Sequence, residues 1–277
     1  MTDDAGAQKH PCMGLLDGKV AIVTGASRGI GEYIAKRFAA EGAAVCVSAR
    51  TEAQSDDRLP GTIHETVAAI EADGGRAVAV RADLARVEDR AKLINEATDA
   101  LGPPDILVNN AAVTWFVPVE DFQESKWRIM FEVQVRAPFE LAQLVIPGMK
   151  VRGQGWILNI SSGAARHPQP EQARGRGGTV YGMCKAALER FSTGLAAEHY
   201  ADNIAVNALS PSSVVPTPGV VIHGLIPPGR EEFAEPPEVM AEASLVLCSR
   251  EPKELTGKIA YSQQLLNEVG VPIPAGA

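Results

Sequence analysis

The sequence predicts an α/β protein, a doubly wound parallel sheet built as a single domain. Short β-branched apolar runs alternate with longer segments of helical period. The runs are apolar throughout instead of alternating with polar residues, as strands buried on both faces are. The alternation repeats through six strand–helix units over roughly 190 residues, with no internal repeat, which places ligands at the carboxyl ends of the strands.

In order, the strands are predicted at 19–24 (KVAIVT), 44–48 (AVCVS), 78–80, 106–108, 156–160 and 204–209. Between them, apolar residues at intervals of three and four mark helices at 30–41, 63–72, 88–101, 124–149 and 181–200. Two stretches break the rhythm. Residues 212–237 hold six prolines in 26 residues and read as a loop or lid. Residues 166–179 (RHPQPEQARGRGGT) are polar, glycine-rich and basic, wedged between a strand and a helix.

Composition narrows the function. A chain of 277 residues that is 45% hydrophobic is not disordered and buries a sizeable core. Its net charge of −8 supplies no field for gathering polyphosphate, so a nucleic-acid partner is not expected. The cysteines at 12, 46, 184 and 248 have no metal-ligand spacing and suit a reducing compartment. No metal site is expected. Neither a signal peptide nor a bilayer-spanning stretch is visible, so the expectation is a soluble cytoplasmic protein: a loose tail over residues 1–14 and one domain over 15–277.

The first strand runs into Thr24-Gly25-Ala26-Ser27-Arg28-Gly29-Ile30-Gly31. Gly25 permits a sharp turn, Gly29 lets backbone approach a pyrophosphate, and Gly31 lets the helix pack on the sheet. The amino end of that helix offers unpaired N–H groups to an anion. The spacing is GxxxGxG, not GxGxxG, and a tight turn without a ligand is the alternative. Past the second strand, where an NAD site holds an acid for the ribose 2′-hydroxyl, the chain has Ser48-Ala49-Arg50-Thr51. Arg50 and Arg28 suit a 2′-phosphate, so NADP(H) is expected over NAD(H).

Tyr181 and Lys185 stand at i and i+4, on one helix face. A fixed ammonium beside a phenol favours phenolate and brings its proton exchange towards neutral pH. Ser161 and Ser162 follow the fifth strand, where a hydroxyl can polarise a carbonyl.

These motifs, with Asp83-Leu84 after the third strand and Asn109-Asn110-Ala111 after the fourth, occur in an order and spacing that resemble the short-chain dehydrogenase/reductase family across about residues 15–265. The resemblance implies a Rossmann-type sheet, a nicotinamide cofactor and a homodimer or homotetramer. It implies Tyr181 as general acid/base, Lys185 as the residue that holds the nicotinamide ribose and lowers the tyrosine pKa, and Ser162 as the residue that orients the substrate oxygen. Gly25, Ser27, Arg28, Gly29, Ile30 and Gly31 would cradle the dinucleotide with Arg50. Asp83 and Leu84 would flank adenine, Asn109 and Ala111 would line the channel, and Pro211 and Thr217 would pass near the cofactor. Residues 59–77 further resemble a hydroxysteroid-dehydrogenase-like branch.

Three departures stand out. The family's fourth catalytic residue, an asparagine, falls on Gln134. The interval from Ser162 to Tyr181 is long, so 166–179 reads as an insertion beside the site. The family's Pro-Gly is Pro211-Ser212 here, and serine does not take positive φ cheaply, so the loop is expected to differ in shape.

His167 reads as a solvated loop residue or a substrate contact, and Cys184 as a buried hydrophobe or an activated thiol. Arg166, Arg174 and Arg176 read as a solvated patch or a grip on an anionic substrate. The reading that gathers these features is an NADP(H)-dependent oxidoreductase that interconverts a small-molecule carbonyl and a secondary alcohol. The alternative is a dinucleotide-binding sensor or partner subunit with little catalysis.

Overall fold

Seven parallel strands form one twisted sheet in the order β3-β2-β1-β4-β5-β6-β7. The computed structural model describes residues 14–53, 59–170, 177–222, 224, 226, 229 and 234–275. Strand order reverses between β1 (Val20–Thr24) and β4 (Ile106–Asn109), which pair directly, so the crevice that binds ligands in doubly wound sheets opens above their carboxyl ends.

The central strands β1, β2 (Ala44–Ala49), β4, β5 (Gly155–Ile160) and β6 (Ile204–Ser210) are buried almost end to end, which is why they are apolar without alternation. β3 (Arg76–Arg81) lies at the sheet's edge and exposes both arginine ends. One face is covered by α1 (Gly29–Ala40) and α8 (Pro237–Ser249), whose Ile34, Phe38, Val239 and Leu245 pack with Val23 and Leu158. The other is covered by α3 (Val87–Leu101), α5 (Ala137–Arg152) and α6 (Thr179–Glu198), through Leu93, Leu141 and Leu195 against Ile22 and Ile157. Each helix presents its apolar stripe to the sheet. α2 (Ile63–Ala72) starts at a capping box, in which Thr62 Oγ1 accepts from the Glu65 amide and the Glu65 carboxylate accepts from the Thr62 amide.

The six expected strands are present. A seventh, β7 (Ile259–Tyr261), pairs with β6 and leads into α9 (Ser262–Glu268); with three residues it gives no periodic signal in sequence. The helix expected at 124–149 is broken. α4 (Glu124–Phe131) passes into a π-helical turn, Glu132–Arg136, before α5 begins. Pro138 explains the break: it has no N–H for the carbonyl four residues back, that of Gln134, and its ring would crowd that carbonyl, so the helix widens there. The span 212–237 contains a short helix, α7 (Pro218–Ile222). Residues 1–13, most of the expected tail, and Cys12, Arg174 and Arg176 lie outside the described residues. Among the described residues no helix is long and apolar enough to cross a membrane.

Candidate active site

The glycine turn after β1 is locked to the turn after β4. Asn110 donates its side-chain amide to the carbonyls of Thr24 (2.9 Å) and Gly25 (3.0 Å). The Thr24 hydroxyl oxygen accepts from the amides of Asn110 and Ala111. A Cβ on Gly25 would lie 2.8 Å from the Ala111 Cα, and one on Gly31 would lie 2.4 Å from the Asn110 amide nitrogen. Gly25 and Gly29 both have positive φ, 66° and 57°. Asn110, to which the sequence assigns no role in the site, ties the two turns together. The doubled asparagine at a strand end was the only available signal.

Arg28 flanks the amino end of α1 without capping it by a side-chain hydrogen bond. The first-turn amides therefore remain available to an anion. Ser27 is buried, its carbonyl tight against Gly61, and Ile30 packs on the core beneath the turn. Thr217, from the lid, sits over Gly29; a Cβ there would touch the Thr217 methyl at 3.0 Å. Arg28 donates to the carbonyls of Pro60 (2.8 Å) and Gly61 (2.6 Å). Partial burial and the like charge of Arg50 lower its pKa, so Arg28 and Arg50 concentrate positive charge beside the end of β2.

Asp83 accepts from the Ala85 amide and anchors the loop after β3. Leu84 is buried in the core. The Leu84 carbonyl accepts two bonds from the buried guanidinium of Arg90, at 3.0 and 2.7 Å. Arg90 also pairs with Glu132 and Glu140, both at 2.6 Å, joining the loop after β3 to the π-turn and α5.

Asn109 donates to Asn159 (2.8 Å), which donates to Ser192 (2.8 Å), so β4, β5 and α6 are crosslinked. The other amide atom of Asn109, its Oδ1, is buried without a partner among the described residues. An orphaned acceptor beside a glycine cradle with uncapped amides and two convergent arginines fits a dinucleotide, and nothing in the residue set conflicts with one.

Ser162 follows β5, and its hydroxyl is hydrogen-bonded to the phenol of Tyr181, two residues into α6. Phe116 meets the Tyr181 ring edge-on at 5.8 Å. Lys185 is 3% exposed, donates to the Ile160 carbonyl at 2.8 Å, and lies 5.7 Å from the centre of the Tyr181 ring. Burial drives the lysine pKa down to about 8. Burial also pushes the Tyr181 phenol up, more than the hydrogen bond from Ser162 pulls it down. Lys185 is not among the groups that shift the phenol here, where burial outweighs the Ser162 hydrogen bond. The amine spends its nearest hydrogen bond on a backbone carbonyl, and loss of water dominates.

Gln134 lies in the π-turn, 1% exposed, and donates its amide to the Val113 carbonyl at 2.9 Å; its Oε1 has no partner among the described residues. It thus fixes the strand-exit loop that carries Phe116. Ser212 does not adopt positive φ, since among described non-glycine residues only Asn203 does. Its amide donates to the Glu235 and Ser262 side chains, and its hydroxyl oxygen accepts from the Gln263 backbone amide. Pro211 stands half-buried at the end of β6. His167 is exposed, and Arg166 stacks on Tyr261. Burial raises the Cys184 thiol to about 11, so it is a buried hydrophobe and not a thiolate.

Comparison with known proteins agrees with this geometry. The short chain dehydrogenase family model matches residues 19–220. A short chain dehydrogenase of Pseudocercospora fijiensis is 38% identical over 203 residues, covering 73% of this chain and 61% of that one. Hydroxysteroid dehydrogenase-like protein 2 of Xenopus tropicalis is 31% identical over 261 residues, covering 94% of this chain and 60% of that one. The chain thus spans about 60% of the length of these relatives. A solved short chain dehydrogenase of Mycobacterium thermoresistibile superposes with a TM-score of 0.80 at 32% identity, over 92% of this chain and 89% of that one. A 3-oxoacyl (acyl-carrier-protein) reductase of Agrobacterium tumefaciens with NADP bound does so at 0.77 and 28% identity, over 89% and 93%. The chain belongs to the short-chain dehydrogenase/reductase family, with a Rossmann-type fold.

Proposed function

We propose that the protein is an NADP(H)-dependent oxidoreductase that interconverts a small-molecule carbonyl and a secondary alcohol. The Ser162–Tyr181 hydroxyl pair at the crevice edge carries this reading. It supports a catalyst over a dinucleotide-binding sensor, because a binding module has no use for two convergent hydroxyls above a buried amine.

A bound nicotinamide dinucleotide supplies or accepts the hydride. The chain's own residues handle the oxygen. Ser162 donates a hydrogen bond to the substrate oxygen, and Tyr181 gives or takes its proton. A phenol raised by burial is protonated at neutral pH, which equips Tyr181 to donate to an oxygen gaining negative charge during reduction. Lys185 would hold the ribose and Gln134 positions the Val113–Phe116 loop. Gly25 to Gly31 would bind the pyrophosphate, with Thr217 above them; Ala111 and Asn109 would line the channel. Arg28 and Arg50 would take the 2′-phosphate, and several NADP-bound relatives of the same fold support that choice.

The buried, unbridged Cys46, Cys184 and Cys248 suit a reducing compartment such as the cytoplasm. We read the exposed Phe139 and Leu144 on α5 and Met183 on α6 as part of a self-association face of a homodimer or homotetramer, which the mass of the particle in solution checks. The function is tested by following NADPH absorbance against a panel of ketones and aldehydes. Tight NADPH binding with no oxidation by any member would favour the sensor.

A further inference from the structure

We propose that the corner between β7 and α9, Tyr261 to Gln263, is a shared anchor for the roots of the lid and of the insertion at residues 166–179. Tyr261, Ser262 and the buried Glu235 are then positioning residues for the reaction. The kinetic part of this inference rests on the oxidoreductase reading; the structural part does not.

The lid begins at Ser212 and returns at Glu235. Glu235 is 1% exposed, although it is a carboxylate with no cationic partner among the described residues. Burying such a group is costly unless its lone pairs are filled, and here they are. Its Oε1 accepts from the Ser262 hydroxyl at 2.6 Å, and its Oε2 from the Ser212 amide (3.2 Å) and the Gln263 side chain (3.0 Å). The Ser213 amide adds another bond. The Glu235 amide donates to the Val214 carbonyl at 2.9 Å, closing the lid's two roots on each other.

Ser212 completes the clamp. Its amide donates to the Ser262 Oγ at 3.0 Å, and its own Oγ accepts from the Gln263 amide at 3.0 Å, at the amino end of α9. A glycine at 212 would lack that acceptor. The serine thus trades the freedom of glycine for a fixed attachment, and that attachment sets the path towards Thr217 over the glycine turn.

The second loop reaches the same corner from the other side. Arg166 donates its Nε to the Tyr261 hydroxyl at 2.7 Å, with its guanidinium carbon 4.0 Å from the ring centre. This accounts for the one arginine of the insertion that the structure describes: it grips the protein. At its far end the insertion leaves through Gly177, at φ 100°, where a Cβ would strike the Val117 amide at 2.5 Å, beside the Phe116 that contacts Tyr181. The two described ends of the insertion are therefore each held against another part of the chain. Because Tyr261 and Ser262 are adjacent, one short strand end fixes both loops, and Tyr261 is itself held in register with Ser210.

Limited trypsin digestion tests this without a known substrate, because Arg174 and Arg176 lie in the insertion and Arg230 in the lid. In the full-length protein, Tyr261→Leu is expected to speed cleavage after Arg174 and Arg176, and Ser262→Ala or Glu235→Gln to speed cleavage after Arg230. The expected gain is about tenfold, as for loss of one charge-assisted hydrogen bond from a local opening equilibrium. Ser262→Thr, which keeps the hydroxyl, should restore the wild-type rate. The Ser262→Ala variant should also bind NADPH at least about fivefold more weakly, since the lid lies over Gly29, while its thermal midpoint moves little. Unchanged cleavage at all three arginines in folded variants would overturn the anchor. Absence of NADPH binding in the wild type would instead overturn the oxidoreductase reading and leave the cleavage result to judge the anchor alone.

Discussion

Gly31 and Asn110 are packed so closely that a single added methyl on the glycine would lie 2.4 Å from the asparagine's amide nitrogen. That nitrogen is already committed to the carbonyls of Thr24 and Gly25. Gly31→Ala must therefore push Asn110 out of both bonds and prise the β1 turn from the β4 turn. The expected cost is about 2–4 kcal/mol from overpacking plus stranded carbonyls, with NADPH binding lost. Chemical denaturation and a fluorescence titration with NADPH measure the two effects.

Arg50 and Arg28 gather positive charge at the end of β2. Arg50 is exposed and Arg28 already binds two carbonyls, so Arg50→Ala removes the more available of the two. NADPH affinity should fall about tenfold, in keeping with one solvent-screened charge-assisted contact, and NADH affinity by less than about twofold. Equal losses for both cofactors, measured by isothermal titration, would remove the 2′-phosphate assignment.

Arg90 holds Leu84, Glu132 and Glu140 at once. Burial alone would raise the two carboxyls. The hydrogen bonds from Arg90 and Arg136 outweigh it, and both lie below their ordinary value of 4.5. A depressed folded-state pKa contributes stability that is present above the unfolded value and lost as pH falls through the folded one. Arg90→Met should thus destabilise the protein by about 3 kcal/mol at pH 7, the low end for a broken buried pair because both glutamates can rehydrate. The gap to wild type should narrow below about pH 4.5 in denaturant melts across pH.

Gln134 joins the π-turn to the loop after β4 through the Val113 carbonyl. Gln134→Met keeps the length and removes the donor, leaving that carbonyl unpaired at about 1–2 kcal/mol. Since this loop carries Phe116 onto Tyr181, kcat should fall several-fold with NADPH affinity unchanged, read from steady-state kinetics and a parallel titration.

Most of the candidate site is legible because each motif sits within a few residues of a strand end, and strand ends are readable from apolar runs. Gly25, Ser162 and Pro211 follow β1, β5 and β6 in that way, and Asn109 ends β4. The break at Glu132–Arg136 was legible in principle from Pro138, but the apolar period on either side conceals it. What sequence could not reveal is contact between distant segments. Ser212 and Ser262 are 50 residues apart, and nothing local marks Glu235 as their partner. Arg166 looks like a ligand grip until Tyr261 appears 95 residues away. The burial that raises the Tyr181 phenol is hidden from the sequence for a related reason. Spacing reveals the lysine one turn on, whereas the water excluded around the phenol is a property of the whole fold.

In the proposed reaction Tyr181 moves the proton while other residues hold the cofactor. Tyr181→Phe keeps the ring against Phe116 and deletes only the hydroxyl. Comparing NADPH-dependent carbonyl reduction and NADPH affinity in this variant tests it most directly. The account predicts a fall in kcat of about a hundredfold or more with NADPH dissociation within about threefold of wild type; a variant that retains most of its turnover would contradict it.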